Sequence, residues 1–153
     1  MRKDTPVDEM KAHFPGNPHR VLLIEDHEPL AEATAEFMRA WGLEVRIAST
    51  GSTAVEMAEA FKPEIVLCDM RLPDMPGLDV AQALRATSGA KDALIVMHTA
   101  MTERDLRLVE RHADSPVNLF FPKPLTTKKL ESIISELEAL QHSSAQARNG
   151  TEY

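Results

Sequence analysis

The chain reads as an α/β domain built on a five-stranded parallel sheet with helices on both faces. Three observations carry that reading. Short apolar runs recur five times along the chain, mostly continuous, as strands buried on both faces are. Stretches between them repeat their apolar residues at helical spacing. Glycine or proline punctuates the joins, at Gly42, Gly51, Pro63, Pro76-Gly77 and Pro122. Strands alternating with helices form a doubly wound sheet through right-handed crossovers.

Arg20 to Ile24 is the first apolar run. Leu30, Ala33, Phe37 and Trp41 then mark a helix that Gly42 closes. Glu44 to Ala48, with Val45 and Ile47 alternating, is the second strand. Gly51 and Ser52 open a helix through Val55, Ala58 and Phe61, and Pro63 stops it. Glu64 to Cys68 is the third strand. After a Pro/Gly loop, Leu78, Ala81 and Leu84 mark the third helix. Ala93 to Met97 is the fourth strand. Thr102 looks like an N-cap ahead of Leu106, Val109 and Ala113. Val117 to Phe121 is the fifth strand, and Leu130, Ile133, Ile134, Leu137 and Leu140 line the last helix. The common order for such a sheet, the flavodoxin-like 2-1-3-4-5, puts its ligand crevice between strands one and three.

The folded domain is expected over residues 19–141. Residues 1–18 are polar, broken by Pro6, Pro15 and Pro18, and read as a flexible arm. Residues 142–153, rich in Ser, Gln, Ala and Asn, read as a flexible tail. The formal net charge of -7 argues against a surface for nucleic acid, which needs a basic patch. One cysteine excludes an internal disulfide. No apolar stretch approaches the roughly 18 residues of a membrane span, and the N-terminus lacks the apolar segment of a secretory signal. A cytoplasmic protein is the expectation.

The C-terminal ends of the strands carry the chemistry. Strand one presents Glu25 and Asp26, strand three Asp69, strand four Thr99 and strand five Lys123. Order 2-1-3-4-5 brings the three acids together. Two carboxylates about 4 Å apart at an effective dielectric near 20 repel by roughly 4 kcal/mol. Three must take up protons, recruit a cation or lie beside a lysine. Clustered carboxylate oxygens suit Mg2+. A carboxylate beside Mg2+ is a competent nucleophile toward phosphorus, with lysine as a second positive clamp and a threonine hydroxyl as a donor to a phosphoryl oxygen.

On Glu25-Asp26, Asp69, Thr99-Ala100 and Lys123-Pro124, the chain resembles the receiver domains of bacterial two-component response regulators, over residues 20 to about 140. That resemblance implies that Asp69 takes phosphate from a histidine kinase or histidine phosphotransfer protein. It also implies Mg2+ held by Glu25, Asp26, Asp69 and the backbone carbonyl of Arg71. Thr99 and Lys123 would contact the phosphoryl group, and Lys123-Pro124 would be a cis peptide. Thr99 and an aromatic of strand five, here Phe120, would act as a switch altering the surface of helix four, strand five and helix five. Lacking a hydroxyl, Phe120 would switch by packing alone. The chain departs from the commonest pattern in a long stretch between Thr99 and Lys123 and in Pro122, which removes a strand N–H. Arg71 and Met101 flank the site and are candidates for screening attacking water.

Plainer alternatives exist for each residue. Asp69, Asp26 and Lys123 could form only an ion pair at a sheet edge, Glu25 a solvated helix-entry acid, Thr99 a loop cap and Phe120 simple core. His98 reads as a space filler beside Thr99, and Cys68 as a small buried side chain. The stripe on the last helix is core or, alternatively, a homodimer face. The expectation is a stand-alone phosphoacceptor that is not a turnover enzyme. Its output would be contact with a downstream protein target or onward relay. Rivals are an aspartyl-nucleophile phosphatase, whose second acid would fall where Arg71 stands, a flavodoxin, whose phosphate loop the acids of residues 25–28 oppose, and a degenerate receiver that binds without phosphorylation.

Overall fold

In the computed structural model, residues 19–100, Arg104 and 115–150 are described. Strands β1 (Arg20–Ile24), β2 (Glu44–Ala48), β3 (Ile65–Cys68), β4 (Leu94–Thr99) and β5 (Leu119–Pro122) alternate with helices α1 (Glu28–Ala40), α2 (Gly51–Phe61), α3 (Gly77–Arg85) and α4 (Thr127–Gly150). All strand pairs are parallel, in order β2-β1-β3-β4-β5. Helix α4 is the last of the five predicted helices. The fourth, from Thr102 through Ala113, lies outside the described residues, as do the arm over 1–18 and Met101.

The continuous apolar runs are buried on both faces because two cores flank the sheet. One joins Leu22, Ile24, Val66, Cys68, Ile95 and Met97 to α2 and α3 through Ala58, Phe61, Val80 and Leu84. The other joins Val21, Leu23, Ile65, Leu67, Leu94 and Val96 to α1 and α4 through Ala35, Met38, Leu130, Ile133 and Leu137. Successive residues of a strand point to opposite faces, so one run feeds both cores. Each large aliphatic side chain buried this way contributes about 1.5–3 kcal/mol.

Several expectations are corrected in detail. Helix α1 buries Ala31, Thr34, Ala35 and Met38, a face turned one residue from the expected Leu30, Ala33 and Phe37, while Trp41 just past its end is buried as expected. Its small residues lie against the sheet, while Phe37 is only half-buried and meets Trp41 edge-on at 6.4 Å between ring centres. Strand β4 runs on through His98 to Thr99. Strand β5 starts later than expected and takes in Pro122, which an edge strand tolerates because one row of its N–H groups has no ladder partner. Helix α4 continues past Gln141 to Gly150. Ala145, Ala147 and Arg148 are strong helix formers, and Gln141 anchors the helix by donating to Glu64 at 2.9 Å.

Candidate phosphoacceptor site

The site grows out of the ends of the ladder. Just past β1, the Glu25 N–H donates to Ala48 O, and just past β3 the Asp69 N–H donates to Ile24 O, each at 3.0 Å. These bonds set the three acids side by side. Ligand oxygens of Glu25, Asp26 and Asp69 all lie within 4.8 Å of one another. The set is graded in depth, with Glu25 buried, Asp69 half-buried and Asp26 exposed.

Lys123 reaches this cluster from the far edge. Its backbone N–H donates to Thr99 O at 2.7 Å, which ties the end of β5 to the end of β4. Its ammonium donates to Glu25 Oε1 at 2.5 Å and to Asp69 Oδ2 at 3.0 Å. Burial works against the Lys123 charge, but the hydrogen bonds to Glu25 and Asp69 outweigh it and hold its pKa above the ordinary value. Burial likewise raises the Glu25 carboxyl, and the opposing pull of Lys123 only partly offsets it. The Lys123–Pro124 peptide is cis.

The loop after β3 is closed on itself. The Arg71 N–H donates to Asp69 Oδ1 at 3.3 Å, Arg71 pairs with Pro76 in an antiparallel bridge, and the Gly77 N–H donates to Met70 O at 2.8 Å. Gly77 has to be glycine for this approach. A Cβ there would lie 2.3 Å from Asp69 O and 2.9 Å from Met70 Cα.

Thr99 is buried at the end of β4. Phe120 is buried too, paired with Met97 and part of the core that contains Ile95 and Val117. Thus Glu25, Asp26, Asp69 and Lys123 come together directly, while Thr99 enters the group through its backbone and Phe120 stands behind it in the core.

Two neighbours of the site escape a reading of strand ends. Lys129, in the first turn of α4, donates to Pro122 O at 2.6 Å and to Pro124 O at 2.8 Å, bracketing the residue that carries the ammonium. Asp74 accepts from the Gly51 and Ser52 N–H groups at the start of α2. An acid in a Pro/Gly loop signals a turn, but nothing local signals the helix it meets.

The donor set fits a hard divalent cation. Three carboxylates against one ammonium leave a formal excess of two negative charges, all on oxygen, at the carboxyl end of the sheet.

Residues 21–135 match the model of the response regulator receiver domain. The chain belongs to that family. It is 37% identical over 114 residues to the transcriptional regulatory protein PdtaR of Mycobacterium tuberculosis, covering 74% of this chain and 53% of the relative. It is 31% identical over 109 residues to the DNA-binding response regulator MtrA of Mycolicibacterium smegmatis, covering 71% and 48%. The receiver thus spans about half the length of the curated relatives it matches. Among solved structures, the receiver domain of the sensor histidine kinase PA1611 from Pseudomonas aeruginosa, with magnesium in its active-site cleft, superposes with a TM-score of 0.68 at 25% identity, over 79% of this chain and 98% of that one. A CheY-like receiver from Methanospirillum hungatei shares the fold with a TM-score of 0.71 at 21% identity, over 83% and 99%. The fold and family expected from the strand-end residues therefore hold. Receivers of this family typically bind Mg2+ at such an acidic pocket, and no helix among the described residues is long and apolar enough to cross a membrane.

Proposed function

We propose that this receiver is phosphorylated on Asp69 and that Glu25, Asp26, Asp69 and the backbone carbonyl of Arg71 hold the Mg2+ this requires. The observation that carries the reading is the position of the Lys123 ammonium, 3.0 Å from Asp69 Oδ2 and hydrogen-bonded to Glu25, beside three mutually close carboxylates. Bound Mg2+ supplies charge neutralisation at the phosphoryl oxygens.

The chain's own groups do the rest. An Asp69 oxygen attacks the phosphorus of a phosphohistidine on a kinase or phosphotransfer protein. The new bond is O–P, the P–N bond breaks, and the released imidazole nitrogen takes up a proton. Glu25 keeps Lys123 in place while the ammonium turns toward the incoming phosphoryl oxygens. The Arg71 N–H fixes one Asp69 oxygen and so orients the carboxylate. The Thr99 hydroxyl donates to a phosphoryl oxygen, and Phe120 responds by repacking beside Met97. The changed surface around β5 and α4 then engages a downstream protein or passes the phosphate on. Asp69 acts as an acceptor and does not turn over substrate.

The test is intact mass after incubation with Mg2+ and a small acyl phosphate, on the native protein and on Asp69→Ala. A single phosphoryl adduct needing both Mg2+ and Asp69 is the expected result. A folded protein with no adduct would favour a degenerate receiver, and sustained release of inorganic phosphate from a phosphoester would favour a phosphatase.

A further inference from the structure

We infer that Asp74 is a positioning residue for the metal site, fastening the loop that follows Asp69 to the start of α2. The inference rests on the reading that the three acids bind Mg2+ with the Arg71 carbonyl.

The first amides of a helix have no partner within it. In α2 the work is divided. Thr50 is the N-cap, and its hydroxyl accepts from the Thr53 N–H at 3.2 Å. The two amides before that belong to Asp74, whose Oδ1 accepts from Gly51 at 2.8 Å and whose Oδ2 accepts from Ser52 at 2.9 Å. Both carboxylate oxygens are thus engaged by a helix N-terminus, whose dipole favours negative charge. These hydrogen bonds hold the Asp74 carboxyl below its usual range.

A second contact reinforces the first. Met75 lies so close to Gly51 that a Cβ there would fall 2.7 Å from Met75 Cγ. The tip of the loop therefore sits on α2 through one polar and one apolar contact, while its base is closed by the bridge between Arg71 and Pro76 and by the Gly77–Met70 bond. Arg71 stands at that base, in the bridge with Pro76, and its carbonyl is the one ligand of the proposed set that no side-chain rotamer can adjust. Its place depends on the loop alone. Fastening the tip limits where that carbonyl can go, so Asp74 governs how well Mg2+ binds more than how fast the bound site reacts.

The experiment is a calorimetric titration of Mg2+ into the full chain for the wild type, Asp74→Ala, Asp74→Asn and Thr50→Ala. Asp74→Ala is expected to weaken Mg2+ binding by about tenfold. Asp74→Asn, with one acceptor oxygen and no charge, should fall between. Thr50→Ala removes a cap from the same helix without touching the loop, and should bind Mg2+ within about twofold of wild type even where its melting temperature drops. In phosphorylation by a small acyl phosphate, Asp74→Ala should need more Mg2+ for half-maximal rate but reach a saturated rate within about twofold of wild type. Unchanged Mg2+ affinity in Asp74→Ala, or an equal loss in Thr50→Ala, would overturn the inference. Failure of the wild type itself to bind Mg2+ would instead overturn the reading of the acids, and the inference with it.

Discussion

Replacing His98 by leucine should flatten the acid side of the stability curve. His98 continues the Leu94, Val96 face of β4 toward α1 and α4, and is 4% exposed. Its Nε2 is buried and has no hydrogen-bond partner among the described residues. Burial, reinforced by the charges of Lys123 and Lys129, pushes the imidazole from 6.5 down to about 4. Between those values the unfolded chain takes up a proton that the folded chain refuses, so stability declines as pH falls from 6.5 and levels off below 4. One proton over that window is worth about 3 kcal/mol between pH 7 and pH 4. Leucine occupies a similar volume, has nothing to protonate and leaves no buried nitrogen unsatisfied. Urea unfolding of wild type and His98→Leu at several pH values provides the assay. Other titrating groups act alike in both proteins and cancel in the difference. That difference should widen by about 3 kcal/mol in favour of the variant from pH 7 to pH 4. Parallel curves over this range would refute the reasoning and mean that the folded protein accommodates the charged ring.

Other outcomes follow from the same geometry. Gly77→Ala forces a Cβ against Asp69 O and Met70 Cα, and should cost about 2–3 kcal/mol in urea unfolding while also weakening Mg2+ binding. Glu64 is held down to about 2 by its hydrogen bond to His19, against burial and with help from Gln141 and the Arg20 N–H. It is ionised in the folded chain well below the 4.5 of the free side chain, so its contribution is whole above pH 4.5 and is lost as pH falls toward 2. Glu64→Gln should therefore cost about 1–2 kcal/mol at pH 7 after screening, with the gap closing in acid. In the phosphorylated protein, replacing Arg71 by Asn and Met101 by Ala together should change the lifetime of the Asp69 phosphate, measured by loss of the mass adduct. Equal decay rates would remove both residues as screens against water.

What the sequence reveals here depends on how local the cause is. Apolar runs expose β1, β3 and β4 because a strand buried on both faces needs little else, and the rule that chemistry gathers at the carboxyl ends of parallel strands leads from those runs to Glu25, Asp26, Asp69 and Lys123. The inward face of α1 is not the one its large residues mark, because Ala31, Thr34 and Ala35 are the small side chains that let the helix lie close to the sheet. Asp74 is legible as a turn former, but its partners stand 22 and 23 residues away and no period connects them. Lys129 looks like one more charge in the first turn of a helix until β5 brings Pro122 and Pro124 within its reach.

The ties around Glu64 bear on where this receiver can be cut. Its carboxylate meets His19 at 2.8 Å, the Arg20 N–H at 3.3 Å and Gln141 at 2.9 Å. All three partners fall outside residues 21–135, the extent of the family match. A fragment trimmed to the family boundaries would keep every acid of the proposed phosphoacceptor site yet strand a half-buried carboxylate at the opposite end of the strands. Domain swaps and minimal expression fragments built from this chain should therefore begin no later than His19 and end no earlier than Gln141.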